Sequence, residues 1–290
     1  MRLRDRDYDL KKPLLVGILN LTPDSFSDGG QLQDIDEVLA RAEQMLADGA
    51  DILDLGGEST RPHAQPVTAE EEAARVLPAL DALARRLDAP LSIDTRRASV
   101  AREALGLGAT MVNDVSGFED PDMGKLVAQT GAAWVLMHMP HAVGQMEWAQ
   151  KHPKVLESPQ EALQQIADDL ERIVTRALDA GVQRGQLALD PGLGFGKSVA
   201  QNLLLLRPGL RLDRGLQSAG PLARLGLPLY VGPSRKSFLG AITGAPVEDR
   251  LGATAAAVTA AVLAGVAFVR VHDVRMMRQV LDVAVAIRDA

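Results

Sequence analysis

The chain has 290 residues, of which 47% are hydrophobic, and this length and composition allow a substantial buried core. Its formal net charge of −7 argues against nucleic-acid binding, because proteins that bind nucleic acids present a basic face to the phosphates. The sequence contains no cysteine, which excludes disulfides, thiolate metal sites and cysteine nucleophiles.

The N-terminal sequence, MRLRDRDYDLKKPLL, mixes both charges and has no uninterrupted apolar stretch of the kind found in signal peptides. No window of the chain approaches the roughly 18 consecutive apolar residues of a membrane span. We therefore expect a cytoplasmic protein without membrane segments.

Short apolar segments alternate with longer segments of helical periodicity along the whole chain. The predicted strands are Leu14–Asn20, Asp51–Gly56, Leu91–Asp94, Met111–Asp114, Trp134–Met137, Leu187–Asp190, Leu229–Val231 and Ala267–Val271. The predicted helices are Ile35–Asp48, Ala69–Leu87, Ser99–Leu107, Asp122–Thr130, Pro159–Ala180, Ala200 to about Leu206, Val247–Ala264 and Val274–Asp289. Two stretches, 139–159 and 208–228, read as long connections.

Eight strand–helix units in a chain of this length predict an α/β fold, a single-domain (β/α)8 TIM barrel over residues 1–290. A doubly wound open sheet is the main alternative, but it carries a glycine-rich phosphate loop after its first strand. Here the first strand ends at Asn20 and continues as LTPDSF, which is not such a loop. The pattern therefore favours the barrel.

Polar residues follow nearly every predicted strand, at the end of a barrel where active sites lie. They are Asn20, Glu58–Arg61, Asp94, Asn113–Asp114, His138, Asp190, Ser234–Ser237 and Arg270–His272. A single aspartate in such a place is equally well explained as a cap of the next helix. Lysine, arginine and histidine do not cap helix N-termini, so the whole set predicts a site that binds both a hydrogen-bonding ring and an anion.

Seven segments resemble the signatures of the dihydropteroate synthase family, in family order and over nearly the whole chain. They are GILNLTPDSFSDGG (17–30), DLGGESTRP (54–62), SIDTR (92–96), NDVSG (113–117), LDPGLGFGK (189–197), GPSRKSFLG (232–240) and RVHDV (270–274). The resemblance implies a transferase of folate biosynthesis that condenses 6-hydroxymethyl-7,8-dihydropterin pyrophosphate with p-aminobenzoate to 7,8-dihydropteroate and pyrophosphate. It also implies a sulfonamide target, and a homodimer to which the helix 253–264 contributes.

The resemblance further implies a role for individual residues. The pterin would be bound by Asp94, Asn113, Asp190, Lys236 and Arg270. The p-aminobenzoate would be bound by Thr60, Arg61, Pro62, Phe195 and Ser237. The pyrophosphate would be bound by Asn20, Arg61, Arg270 and His272, and Asn20 would also hold Mg2+. The residues implied in catalysis are Asp94, Asp190, Lys236, Arg270 and Asp28, the last closing the site from the first loop.

The chemistry of the implied reaction suits these residue types. Departure of pyrophosphate requires Mg2+ and cationic side chains, and buried carboxylates stabilise the cation that remains on the pterin methylene. The incoming aryl amine is neutral at pH 7, so no strong general base is needed, and we expect an SN1-like substitution. Three positions depart from the family pattern: His63 replaces a glycine, Pro233 replaces a small residue, and the 208–228 connection is long.

Three other functions are open to a barrel of this kind. A pterin-binding methyltransferase shares the pterin carboxylates but does not need SRKS together with RVH, because its folate substrate carries no pyrophosphate. A catalytically silent paralogue predicts the loss of loop residues such as Asp28, Thr60 or Arg61, and all are present. A phosphate-binding isomerase is not supported, because nothing in this sequence resembles its glutamate base.

We also expect Met137 to fill the barrel, His138 to be a structural polar group, and Glu70–Glu72 to form the acidic first turn of a helix.

Overall fold

The fold is described from a computed structural model, which covers residues 1–3, 6–22, 35–59, 67–140, 158–207 and 220–290. The predicted barrel is confirmed. Its strands are β3 (Leu14–Asn20), β4 (Ile52–Gly56), β5 (Leu91–Asp94), β6 (Met111–Asp114), β7 (Ala133–Met137), β8 (Leu187–Asp190), β9 (Tyr230–Val231) and β10 (Phe268–Val271). They form a parallel sheet in the order β8-β7-β6-β5-β4-β3-β10-β9. A parallel bridge between Leu189 and Leu229 joins β8 to β9 and closes the ring.

The helices lie between the strands, as the alternating pattern predicts. They are α1 (Ile35–Ala47), α2 (Ala69–Arg86), α3 (Ala98–Leu107), α4 (Pro121–Thr130), α5 (Pro159–Asp179), α6 (Val199–Leu205), α7 (Ser237–Thr243), α8 (Leu251–Leu263) and α9 (Val274–Asp289). None of the helices in these described ranges is long and apolar enough to cross a membrane.

Two separate apolar cores result from the alternation of side chains along each strand. The larger core lies between the strands and the surrounding helices, and Leu53 and Leu80 are typical members. The smaller core fills the barrel itself and includes Val16, Met111 and Phe268. Polar residues lie above this inner core, so the barrel has an apolar floor and a polar rim.

An N-terminal hairpin covers the lower end of the barrel. Its two short strands, β1 (Arg2–Leu3) and β2 (Arg6–Asp7), pair antiparallel. Leu3 is 1% exposed and packs into the inner core. The sequence analysis did not predict this hairpin, because two-residue strands show no periodicity.

Local capping explains where several helices begin. Before α2, the Thr68 side chain accepts a hydrogen bond from the Glu71 backbone, and the Glu71 carboxylate accepts one from the Thr68 backbone. The same reciprocal capping box joins Ser158 to Glu161 before α5. Each box satisfies two donors that the first helical turn leaves unpaired, which holds the loop–helix junctions in place.

The structure corrects the helical prediction in one region. The predicted helix Val247–Ala264 is divided into a 3-10 turn, Val247–Asp249, and α8, because Arg250 leaves the helical conformation between them. The helix α7 was missed, since seven residues after a two-residue strand give too short a pattern. Gly240 within α7 allows the Arg250 guanidinium to pack against the helix, where a Cβ would be 2.3 Å from it.

Candidate active site

Arg270 lies at the centre of the polar rim and links residues from neighbouring strands. Its Nε donates to Oδ2 of Asp54 at 2.6 Å, and its Nη2 donates to Oδ2 of Asp94 at 2.7 Å. The Asn113 amide also donates to Oδ2 of Asp54, at 3.1 Å. The structure therefore brings together three of the residues predicted for the pterin: Asp94, Asn113 and Arg270.

The register of the strands explains this convergence. Asp94 pairs with Gly56 on one side and with Asn113 on the other, so the three positions stand at one level of the barrel. Side chains two residues apart on a strand share a face, so Arg270 lies directly above Phe268 of the inner core. Asn113 and Asp190 likewise lie above Met111 and Ala188 of the inner core.

Asp54 is a member of this network that the residue-by-residue prediction missed. It is fully buried in β4, and its Oδ1 atom has no hydrogen-bond partner among the described groups. A charged residue inside a short apolar strand was the available signal, since such a group is expensive to bury unless it is paired. The partner that pairs it, Arg270, lies 216 residues away in the sequence.

The two predicted carboxylates experience strong desolvation. Burial raises the pKa of Asp94 to about 7, against the opposing effect of the Arg270 guanidinium. Burial likewise raises the pKa of Asp190 to about 6, although Oδ1 of Asp190 accepts a hydrogen bond of 2.7 Å from the Gly192 amide. Lys236 and Arg270 also favour the ionised form of Asp190. Ionisation of the rim carboxylates therefore costs free energy in the empty site, and a cationic ligand would stabilise their charged forms.

Lys236 and Phe195 face each other at the rim. The Lys236 ammonium lies 3.8 Å from the centre of the Phe195 ring, within the range of a cation–π contact. Burial lowers the pKa of Lys236 to about 8, and Asp190 and Asp94 oppose that shift. Gly194 lies against the Lys236 side chain, where a Cβ would be 2.7 Å from Cδ. Two residues predicted for adjacent ligands are thus in direct contact.

The segment 234–237 places its side chains in different directions. The Ser234 hydroxyl lies 3.0 Å from Nδ1 of His272 and accepts a hydrogen bond from the His272 backbone. Arg235 forms a bidentate ion pair with Asp273, at 2.7 and 3.2 Å. Ser237 is exposed as the first residue of α7. The predicted anion-binding residue His272 is therefore oriented by Ser234.

Asn20 offers an oxygen donor suited to a hard cation. It is the last residue of β3, partly exposed at the rim, and its register partner is Gly56. Within the described ranges, no group of three or more His, Cys, Asp or Glu side chains could hold a metal ion. Mg2+ commonly keeps several waters and uses one or two protein oxygens together with substrate phosphates. The donor chemistry of Asn20 fits that mode of binding.

Four predicted site residues lie outside the described residues: Asp28, Thr60, Arg61 and Pro62. His63 and most of the 208–228 connection lie outside them as well. The prediction that Met137 is buried is confirmed, with the side chain 1% exposed. His138 is also buried, and its Nε2 lies 3.1 Å from Oδ2 of Asp169, in agreement with a structural role.

The acidic run at the start of α2 does more than the sequence predicted. Glu70 and Glu71 lie in the first turn as expected, but Glu72 is fully buried. Its carboxylate forms an ion pair with Arg97, which also donates to Glu58 at 3.0 Å. A second donor of Arg97 reaches the carbonyl of Val67 at 2.5 Å. Arg97 therefore ties together residues on both sides of the segment 60–66.

The chain is similar in sequence to a known protein family and to individual enzymes of that family. Residues 16–272 match the pterin binding enzyme family, a span that includes every rim residue named above. The chain is 42% identical to a dihydropteroate synthase of Synechocystis over 282 residues, which are 96% of this chain and 91% of that protein.

Solved structures agree with this similarity. The dihydropteroate synthase of Yersinia pestis in a sulfonamide drug complex is 37% identical, with a TM-score of 0.87 over 100% of this chain and 99% of that one. The enzyme of Xanthomonas albilineans with 4-aminobenzoic acid is 36% identical, with a TM-score of 0.83 over 97% and 95% of the two chains.

Proposed function

This chain belongs to the pterin binding enzyme family and, within it, to the dihydropteroate synthases, and we propose that it joins 6-hydroxymethyl-7,8-dihydropterin pyrophosphate to p-aminobenzoate. The products are 7,8-dihydropteroate and pyrophosphate. The observation that supports this reaction best is the buried network in which Arg270 bridges Asp54 and Asp94. The whole chain, 1–290, acts in this proposal as one pterin-binding domain.

The rim complements a flat ring that carries amino and amide N–H groups. Asp94, Asn113 and Asp190 supply acceptors from β5, β6 and β8. Buried acceptors that would otherwise stay unpaired discriminate strongly in favour of a ligand with matching donors. Arg270 lies beside them with a planar guanidinium able to stack on the ring.

The reaction proceeds by departure of pyrophosphate before attack by the aryl amine. The C–O bond of the pterin methylene breaks, the electron pair leaves with pyrophosphate, and the positive charge on carbon spreads into the ring. The ionised carboxylates of Asp94 and Asp190 stabilise that charge because they act in a partly desolvated site. The neutral amine of p-aminobenzoate then forms the C–N bond and loses a proton.

The leaving group is accepted on the cationic side of the rim. Asn20, Arg270 and His272, together with Arg61, bind the pyrophosphate oxygens, and Ser234 orients the His272 ring. Asn20 would hold Mg2+, which supplies further positive charge to the departing oxygens. Phe195, Ser237 and Lys236 line the p-aminobenzoate site with Thr60, Arg61 and Pro62, and Asp28 completes closure. Sulfonamides would compete at this surface.

The test compares product formation in four conditions. Dihydropteroate and pyrophosphate release are measured with and without p-aminobenzoate and with and without Mg2+, beside Asp94→Asn. We expect formation that requires both components and falls about 10²–10³-fold in the variant, the usual effect of removing one electrostatic stabiliser. Pterin binding by calorimetry without any product would support a silent paralogue instead. Methyl transfer from a methylated folate would support the methyltransferase.

We also propose a homodimer formed through the late helices. Large apolar side chains are exposed on these elements: Met276, Val283 and Ile287 share one face of α9, and all three, like Ile242 and Val247, are 46–60% exposed. Light scattering after size exclusion should give twice the 30.9 kDa chain mass, and Val283→Asp with Ile287→Asp should reduce it to one chain. A cytoplasmic location is part of the same proposal, and cell fractionation would test it.

A further inference from the structure

The turn after β8, residues 191–198, supports the rim almost entirely through its backbone. Its sequence, PGLGFGKS, contains three glycines with left-handed φ values of 74°, 79° and 58°. Such glycines allow the path of the turn but do not hold it, because glycine has the most conformational freedom to lose. The turn nevertheless positions the Gly192 amide against Asp190 and the Phe195 ring against Lys236. Other groups must therefore hold it in shape.

Asn202 braces the turn from the side of α6. This side chain is 1% exposed, and its Oδ1 accepts a hydrogen bond of 2.7 Å from the Gly194 backbone. Its amide nitrogen donates to the carbonyls of Lys197 and Ser198, at 3.2 and 2.9 Å. Asn202 thus fixes the middle and the end of the turn to the helix that follows.

Lys197 braces the same turn from the side of β7. Its ammonium donates to the carbonyl of Phe195 at 3.1 Å and to the carbonyl of His138 at 3.4 Å. A Cβ on Gly192 would lie 2.9 Å from the same nitrogen, so the ammonium packs against the residue whose amide binds Asp190. The Lys197 side chain therefore contacts three places at once: the His138 carbonyl after β7, Gly192 beside Asp190, and the backbone of Phe195.

The chemistry of Lys197 is unusual for a group that only fills space. Its hydrogen bonds go to the neutral carbonyls of Phe195 and His138, and within the described residues no carboxylate forms an ion pair with it. The charged groups that act on it are Asp190 and Asp169, which favour its cation, and Lys236, which opposes it. Burial lowers the pKa of Lys197 to about 7. A partly buried cation without a direct counter-ion lowers stability, so an apolar side chain would serve packing better.

We propose that Lys197 is a positioning residue for p-aminobenzoate, because its ammonium ties the Phe195 carbonyl to the end of β7 and so holds the Phe195 ring against Lys236. This inference rests on the proposed function and adds a residue to it. Among the described residues, Lys197 forms no hydrogen bond or ion pair with the pterin carboxylates or with the residues predicted for pyrophosphate, and its charge acts on Asp190 only through space. Its removal should therefore affect the second substrate more than the first.

The experiment compares Lys197→Met and Lys197→Arg with the wild type and with Lys125→Met, which replaces an exposed lysine of α4. Steady-state kinetics give KM for p-aminobenzoate, calorimetry gives the Kd of the pterin pyrophosphate, and thermal unfolding gives Tm. For Lys197→Met we expect KM for p-aminobenzoate to rise at least about tenfold, the scale of one lost charge-assisted hydrogen bond. The pterin Kd should change less than about threefold, and Tm should stay the same or rise. Lys197→Arg should restore most of the KM, and Lys125→Met should behave as wild type.

Each outcome separates the two proposals. If the wild type forms no dihydropteroate, the proposed function fails, whatever the variants do. If the wild type is active and Lys197→Met keeps its KM for p-aminobenzoate, the positioning role is wrong. A Lys197→Met variant in which both affinities and Tm fall together shows a purely structural lysine and equally overturns the inference. Should that variant not fold, Lys197→Gln, which keeps a donor without the charge, replaces it in the same comparison.

Discussion

Nε of Arg270 on β10 donates a hydrogen bond of 2.6 Å to the buried carboxylate of Asp54 on β4, and the two residues are separated by one strand in the barrel and by 216 positions in the sequence. Arg270 is 19% exposed in its side chain and Asp54 is fully buried, so solvent screens this pair weakly. The pair sets the direction of the guanidinium before any ligand arrives. Preorganisation of this kind is what electrostatic stabilisation of a developing charge requires.

Removing the charge of Asp54 should therefore lower activity while the side chain still fills its place in the site. Asp54→Asn keeps an acceptor for Asn113 but leaves Arg270 with Asp94 as its remaining charged partner. We expect kcat/KM for the pterin pyrophosphate to fall about a hundredfold, the lower end of the effect of losing one preorganised group. Asp88→Asn, which removes a surface carboxylate paired with Arg6, is the control and should leave the rate unchanged. Full activity in Asp54→Asn would refute the preorganising role.

Protonation of the Asp190 carboxyl should lower kcat/KM at acid pH. Burial raises its pKa to about 6, and only the ionised form stabilises the cation of the pterin methylene. The kcat/KM for the pterin pyrophosphate should therefore rise with pH in two steps in a pH–rate profile, through about 6 as Asp190 ionises and through about 7 as Asp94 ionises. Asp190→Asn should lose the lower step together with about a hundredfold of the rate. An unchanged acid limb in the variant would assign the limb to another group.

Stability should respond to pH in the opposite sense through the same carboxyl. Between its ordinary pKa of 3.8 and about 6, the folded Asp190 holds a proton that the unfolded chain has released. The folded state then binds more protons, so the free energy of unfolding falls as pH rises through this window. Urea unfolding across the window should show a smaller fall in Asp190→Asn. Asp88→Asn, which removes a surface carboxylate with a 74% exposed side chain, should keep the wild-type slope.

The regular parts of this fold were predictable because local chemistry determines them. The strands β3, β5 and β6 have the predicted bounds, since each is an apolar run that ends in a polar rim residue. Helix ends such as that of α3 were readable from a following glycine, here Gly108 at a left-handed φ of 118°. The barrel followed from the number of units rather than from any single motif.

What escaped prediction depends on contacts between distant segments. The role of Asp54 requires Arg270, and that of Lys197 requires the carbonyl of His138, which follows β7. No local pattern encodes such pairs, because the same residues could equally be solvated charges. The buried Glu72 is a similar case: its place in the acidic first turn was predicted, but its burial depends on the ion pair with Arg97 from another helix junction.

Gly194 provides a steric test of the contact between Lys236 and the turn. Its φ of +79° strains any other residue, and an alanine Cβ would lie 2.7 Å from Cδ of Lys236. Gly131 has a similar φ of +72° but open space around it, so Gly131→Ala measures the strain alone. We expect both variants to lose about 1–2 kcal/mol of stability from that strain. Only Gly194→Ala should also raise KM for p-aminobenzoate, and equal kinetics in the two variants would exclude the contact as a functional one.

The Arg97 cluster allows a prediction about stability that a single variant could not resolve. Arg97 is 16% exposed in its side chain and pairs with Glu58 and the fully buried Glu72. Arg97→Met should destabilise the fold by about 3–5 kcal/mol in urea unfolding, because it leaves the Glu72 carboxylate buried without its partner. Combining Arg97→Met with Glu72→Met should recover most of that loss, since no isolated charge then remains. If the double variant is as unstable as the sum of the single ones, the pair is not coupled and Arg97 acts through Glu58 and Val67 alone.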